Sequence, residues 1–333
     1  MSEQTTDGAA PGAAADPAAE SLLTVVIALV SNALLAIAKS FAAVLTGSAS
    51  MVAEALHSWA DTGNEVLLVV AERRSRRAAD SRHPLGYGKD AYIWSMFAAF
   101  GLFIVGAVVS IQHGIVELTD PEPAHDYGIA YAVLALSFVL EGISFVRAYR
   151  QAHADARRRS IATLEHVARS SNPTLRAVFA EDSAALIGLV IAFFGVLLHE
   201  LTGSPVFDAI GSILVGALLG VVAIVLIARN RSFLLGEAVD DDIRDAVLAD
   251  LLRMPSIERV AFLHIEFIGP GSVFLIASVD LVGDRGEADA ARELHRLEGV
   301  LMARPQVGRA LLTLAAPGTP SLLPVRNTDV GKA

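Results

Sequence analysis

The stretch Ala53-Glu54-Ala55-Leu56-His57-Ser58-Trp59-Ala60-Asp61-Thr62-Gly63-Asn64 carries ionisable side chains inside an apolar segment, residues 50–70, long enough to cross a bilayer. His57 and Asp61 are four residues apart. At 3.6 residues per turn that spacing stacks both on one helix face, roughly 6 Å apart, where an imidazole nitrogen and a carboxylate oxygen can grip one metal ion. Ionisable groups at membrane depth are costly, so the pair is read as functional. Glu54, His57, Asp61 and Asn64 or Glu65 recur every three or four residues, a polar stripe that lines a path or a cavity.

The surrounding chain has the same membrane character. Its 333 residues are 53% hydrophobic and only 19% charged, less charge than soluble domains carry. Apolar runs at 22–45, 50–70, 92–118, 128–146, 177–201 and 207–228 predict six transmembrane helices. Arg73, Arg74, Arg76, Arg77, Arg82 and Lys89 follow the second. Arg147, Arg150, Arg157, Arg158, Arg159, Arg169 and Arg176 follow the fourth, and Arg229 and Arg231 the sixth, whereas the loops at 46–48, 119–127 and 202–205 hold neither Lys nor Arg. By the positive-inside rule both termini are cytoplasmic. Residues 1–20, rich in Ala, Gly and Pro without a basic start, read as a disordered tail and not as a signal or import peptide. A bacterial inner (cell) membrane is the expected location. There is no cysteine, so a metal must be held by His, Asp or Glu, which admits zinc, manganese, iron(II) or cobalt. The net charge of -10 and the lack of any base-reading motif exclude nucleic acid as a partner. No nucleophile elbow, P-loop or kinase signature occurs, so neither an enzyme nor an ATP-driven pump is expected, and no cofactor.

After residue 231 the pattern changes. Residues 240–253 read as an amphipathic helix; 260–268 and 273–282 as strands split by Gly269-Pro270-Gly271; 288–302 as a second helix; and 310–315 as a last strand. The predicted fold is thus an α-helical membrane protein, six transmembrane helices (21–231) followed by a small cytoplasmic α+β (αββαβ) metallochaperone-like domain (232–316), with 317–333 a disordered tail.

Glu141, Glu181, Asp182 and Asp208 complete the intramembrane ionisable set. With the fifth helix packed on the second, Asp182 joins His57 and Asp61 as one nitrogen and two carboxylates, a set that suits zinc and leaves a position for water or a fourth ligand. Such a site must lose protons to take metal, so loading and release couple to a proton gradient. Asp208 reads as a cap of the sixth helix, and Glu141 as a hydrogen-bond partner of Asn32 or part of a proton route. His113, His125 and His199 are placed near the far membrane face, solvated at the interface.

Gly47-Ser48-Ala49-Ser50-Met51-Val52 leading into the opening stretch, His83-Pro84-Leu85-Gly86-Tyr87-Gly88-Lys89, and the terminal αββαβ pattern together resemble the cation diffusion facilitator family. Ser170-Ser171-Asn172-Pro173 with Glu181-Asp182-Ser183-Ala184-Ala185 is similar to its zinc transporter nine subgroup. The resemblance implies a homodimer that exports divalent metal, with Zn2+ as the transported substrate, in exchange for protons by alternating access. It also implies paired ligands four apart on the second and fifth helices. His57 and Asp61 match the first pair, in the form associated with zinc, and Asp182 matches one member of the second. The other member falls on Val178, so either water completes the site or Glu181, about 100° round the helix from Asp182, substitutes. Against the family pattern Tyr87 replaces a loop histidine beside His83. Around His264, Ser278, Thr313 and Ala315 replace ligands of the cytoplasmic cluster, and both sites read as lost. Lys89 resembles the family's charge interlock, with Glu237 its nearest acid; His295 reads as solvated. The competing readings are a manganese, iron or cobalt transporter of the same type, and a transport-inactive membrane scaffold.

Overall fold

The computed structural model describes residues 17–121 and 126–324, with side chains from residue 29 onward. The first span is α1 (Pro17–Thr46), and the second, α2 (Ala49–Ser75), carries the opening stretch. The third is one long helix: α3 (Asp90–Gly101) passes through a π-helical segment (Leu102–Val108) into α4 (Val109–Thr119). The fourth is α5 (Tyr127–Arg158); a short helix, α6 (Thr163–Arg169), leads to the fifth, α7 (Pro173–Thr202), and the sixth, α8 (Val206–Leu234). Five of the six have both the length and the apolar composition to cross a membrane; α2 has the length but carries the polar stripe. The protein is a multi-pass membrane protein of the expected class.

Lipid-facing and interior positions separate cleanly. Phe41, Val44, Phe138, Val139, Phe194, Val221 and Ile224 are exposed on the bundle surface, where hydrocarbon would meet them. The interior is built from small residues that let helices approach closely: Ala53 and Ala60 of α2 lie against Leu102, Ala184, Val215 and Leu219. In this way α2 packs on α1, α3, α7 and α8 and occupies the middle of the bundle.

Beyond α8 come α9 (Asp241–Leu252), β1 (Ile257–Gly269), β2 (Ser272–Leu281), α10 (Glu287–Met302) and β3 (Val307–Leu314). β1 and β2 pair antiparallel through the hairpin at Pro270-Gly271, and β3 adds parallel to β2 after the α10 crossover. Leu248, Leu251, Leu275, Val279, Leu297 and Leu301 form the core between helices and sheet. Several element ends lie a few residues beyond the sequence reading, as in α2, α7, α8 and β1, and three differences bear on the tail and the span lengths. α1 takes in Pro17 to Glu20, read as tail; α5 runs twelve residues past Val146, because Ala- and Arg-rich chain keeps its helix after hydropathy falls. At the other end Leu322 N donates to Val260 O at 2.7 Å, which ties part of the expected disordered tail to β1.

The two domains meet at bare backbone. A Cβ on Gly88 would lie 2.4 Å from Ile268 O, and one on Gly269 would lie 2.7 Å from Gly88 Cα. Phe233 at the end of α8 stacks on Tyr92 and meets Phe267 of β1 edge-on, making an aromatic joint between bundle and sheet. Gly88→Ala is therefore expected to cost about 1–3 kcal/mol by forcing the backbones apart, read as faster hydrogen exchange at residues 266–272 with the transmembrane helices unchanged.

Candidate metal-binding site in the membrane

α2 is fixed at its start before it presents any ligand. Ser48 is its N-cap, accepting from Met51 N at 3.2 Å, and Asp208 of α8 reaches across to accept from Ser48 Oγ at 3.0 Å and Ser50 N at 3.2 Å. Asp208 is thus the clamp of α2 and does not cap its own helix, whose N-cap is Pro205 without a side-chain cap bond, a correction to the sequence reading. Removing a buried acceptor with several donors leaves each of them unpaired, so Asp208→Ala is expected to lower stability by about 2–4 kcal/mol, read as a fall in thermal midpoint in detergent.

Two turns further on, His57 is fully buried, and its Nδ1 lies 3.4 Å from Asp61 Oδ2. Among the described residues neither ring nitrogen finds a hydrogen-bond partner, and Asp61 Oδ1, Ser58 Oγ, Asn64 Oδ1 and Glu65 Oε2 are likewise without one. Such atoms cost free energy when buried unpaired, and here they gather along one stretch of one helix.

The two acids of α7 diverge. Glu181 accepts from Asn64 Nδ2 of α2, while Asp182 Oδ2 accepts from Ser144 Oγ of α5 at 2.9 Å. Of the expected ligands, His57 and Asp61 come together; Glu181 is the α7 acid bonded to α2, and Asp182 turns toward α5. Among the described residues no three His, Asp or Glu side chains converge at metal-holding distance. Asp61 nonetheless feels the charge of both Glu181 and Asp182, which sets all four on one seam. Val178 packs with Leu68, Ala99, Ala177 and Leu226, so an apolar cluster stands where the second histidine or acid of the α7 pair was sought.

The residue that the sequence reading missed is Lys39 of α1. It is fully buried, 3.1 Å from Glu54 Oε2 and 3.6 Å from Glu141 Oε1. Glu141 therefore pairs with Lys39 and not Asn32, whose amide donates to Glu65 Oε1 at 2.7 Å. A lone lysine in an apolar run, with glutamates at helical spacing on the next span, was the available signal.

The remaining sites are occupied by protein contacts. In the 76–89 loop Asp80 accepts from Tyr87 Oη at 2.7 Å and from the N–H groups of Arg82 and His83, and the His83 ring packs on Tyr87. These bonds, the Tyr87 hydroxyl foremost, hold the Asp80 carboxyl below its usual range, at about 2. A lowered carboxyl stabilises the folded loop above its unfolded value and stops doing so only as the pH falls toward 2. Amide exchange at residues 80–88 is thus expected to show no loop opening between about pH 5 and 8. In the terminal domain Ser278 and Thr313 hydrogen-bond each other at 2.8 Å, and His264 faces Glu266 at 3.4 Å. Lys89 meets Glu266 at 3.8 Å, whereas Glu237, its expected partner, binds Arg229 at 3.1 Å. His295 is exposed beside Glu298. His199 is buried against Tyr127 and not solvated, His113 is half-buried, and His125 lies outside the described residues.

Residues 25–235 match the cation efflux transmembrane domain. Over 254 residues the chain is 37% identical to metal tolerance protein C4 of Arabidopsis thaliana, covering 76% of this chain and 56% of that one. Over 259 residues it is 34% identical to the human mitochondrial proton-coupled zinc antiporter SLC30A9, covering 78% and 46%. A more distant relative is the manganese efflux system protein MneP of Bacillus subtilis, 22% identical over 240 residues, 70% of this chain and 75% of that one. The chain spans about half the length of the first two. Six long helices around a polar second span, the αββαβ domain and these matches agree: the chain belongs to the cation diffusion facilitator (cation efflux) family, in its zinc transporter nine-like subgroup.

Proposed function

We propose that this protein exports a divalent metal, with zinc its main substrate, from the cytoplasm in exchange for protons, by alternating access of a six-helix domain. The observation that carries the reading is the buried His57 and Asp61 pair, whose ring nitrogens and Oδ1 have no hydrogen bond to the described residues although they lie inside a membrane span. Imidazole with carboxylates is a donor set for zinc, and neighbouring acids that shed protons as the ion arrives make the exchange electrically feasible. Relatives named as proton-coupled zinc antiporters support both the ion and its counter-ion.

His57 and Asp61 are the first ligands in this reading, with Asp182 and Glu181 the α7 acids that close on them. Arginines gathered after α2, α5 and α8 support cytoplasmic termini and a cytoplasmic αββαβ domain, and a bacterial inner membrane is the location we favour. Residues 21–231 act as the transport domain and 232–316 as the domain through which a second copy associates. Phe262 and Leu311 are exposed on strands β1 and β3, apolar surface that a second domain would cover.

The test is the purified full chain in liposomes, with zinc-sensitive and pH-sensitive dyes inside. A pH gradient is expected to drive zinc accumulation with opposite proton movement. Zinc flux that ignores the gradient removes the antiport, and absence of flux for zinc, manganese, iron(II) and cobalt alike favours a scaffold. Manganese outrunning zinc would favour the second reading, which the carboxylate-rich seam supports.

A further inference from the structure

The intramembrane seam holds more acid than its ligands need. Glu54, Glu141 and Asp61 face the Lys39 ammonium, and Glu65, Glu181 and Asp182 extend the acid along the seam, in a bundle where each charge is expensive. They cannot all be ionised together without cations, so protons must sit on some of them whenever metal is gone. Which acid carries protons is decided by packing.

Glu54 is fixed. Its Oε2 lies 3.1 Å from Lys39 Nζ, and its Oε1 lies against Gly188 of α7, where an added Cβ would come within 2.6 Å of that oxygen. Glu141 is looser: it reaches the same ammonium at 3.6 Å, with its side chain 12% exposed where Lys39 and Glu54 are at 0%. It stands on α5, three residues before Ser144, which holds Asp182. The charged and titratable groups facing this cluster are His57, Asp61 and Glu65 on α2 and Asp182 on α7, with Glu181 beyond Asp182. Val215 of α8 approaches at Gly188, and the third span has no ionisable residue between Ile93 and Gln112.

We propose that Lys39, Glu54 and Glu141 form a proton-exchange site separate from the metal ligands, in which Glu141 carries a counter-transported proton. Without metal, a proton from the far side joins the Glu141 carboxylate and its ion pair with Lys39 breaks, the ammonium staying with Glu54. When a divalent ion arrives beside Asp61, whose charge and that of Glu141 act on each other, the proton leaves Glu141 as H+ and the carboxylate returns to Lys39. No other bond changes. Because the coupling is reciprocal, the proton on Glu141 weakens metal binding by the same factor as metal weakens proton binding.

This inference rests on the exporter reading above. Glu141→Gln, which stands in for the protonated acid, is expected to bind zinc about tenfold more weakly than the parent at neutral pH by titration calorimetry, and in liposomes to keep zinc-for-zinc exchange at saturating zinc. It should lose at least tenfold in accumulation driven by a pH gradient, and its zinc flux should rise less steeply with pH than the parent's, keeping only the dependence that the metal ligands supply. Lys39→Arg, which preserves the ammonium charge, is expected to retain coupling. If Glu141→Gln does not run as a folded species on size exclusion, the uncharged Lys39→Met/Glu54→Gln/Glu141→Gln triple, which leaves no buried charge of this cluster unpaired, carries the same expectation. Gradient-driven accumulation and a pH profile equal to the parent's in either variant overturn the inference and leave the exporter standing. A parent that moves no zinc with the gradient overturns the exporter itself.

Discussion

Zinc transport is expected to disappear in both His57→Ala and Asp61→Ala, with zinc affinity falling more than about 100-fold in each. Groups that merely orient a ligand cost 10–100-fold when lost, so a ligand itself must cost more. Among the described residues Nδ1, Nε2 and Oδ1 find no hydrogen-bond partner, so alanine there removes the proposed metal donors and, within the protein, only the 3.4 Å contact between the two. Asp61→Ala should fold with a thermal midpoint near the parent's and His57→Ala, which leaves a buried cavity, with a lower one, so a loss of zinc affinity common to both is legible as binding. Isosteric Asp61→Asn separates charge from shape and is expected to behave like Asp61→Ala. The α7 acids give the finer result. Glu181 is the one bonded to α2, through Asn64, while Asp182 is held by Ser144 on α5. If Glu181 substitutes for the residue missing at Val178, Glu181→Gln should cost as much as Asp182→Asn; if water fills that place, only Asp182→Asn should matter. Val178→His would put an imidazole among Leu68, Ala99 and Leu226, so any gain in zinc affinity should come with a lower thermal midpoint. Retained flux in both alanine variants would sink the assignment of the site.

Five of the six spans were legible as runs of about 20 apolar residues, and α2 as a run of the same length interrupted by a polar stripe, because a bilayer tolerates few alternatives to a helix. The αββαβ order was legible from the Gly269-Pro270-Gly271 turn and from two changes of period. What it could not show was partnership across helices. Asp208 was read at the start of its own helix, whereas its work is done on Ser48 and Ser50, 160 and 158 residues away. Glu141 was paired with the wrong residue of α1, seven positions from Lys39, because the rotation of α1 against α5 is set by packing and not by composition. The parallel pairing of β3 with β2 likewise depends on where α10 lands. The His57 and Asp61 pair was legible because both ends are on one helix at a spacing with one meaning; the α7 half was not, since neighbouring acids can face either of two partners.

Lys39→Met is expected to be among the most destabilising single changes in the membrane domain, and adding Glu54→Gln should restore much of the loss. Both side chains are fully buried and their charged atoms are 3.1 Å apart. Each was taken out of water at a cost that their attraction offsets only while both are present. Breaking such a pair by removing one partner costs about 3–5 kcal/mol, whereas replacing both with neutral residues of similar size is often close to neutral. Glu141 softens the penalty in one direction only. With Glu54→Gln alone, Lys39 keeps an acid at 3.6 Å, so that variant is expected to fall less than Lys39→Met, which leaves two carboxylates without their cation. The order of thermal midpoints should therefore run from parent through Glu54→Gln to Lys39→Met, with Lys39→Met/Glu54→Gln above Lys39→Met. Equal losses in the two single variants would mean that Glu141 does not share the ammonium. A double variant no better than Lys39→Met would mean that the lysine acts through its packed methylenes and not through its charge.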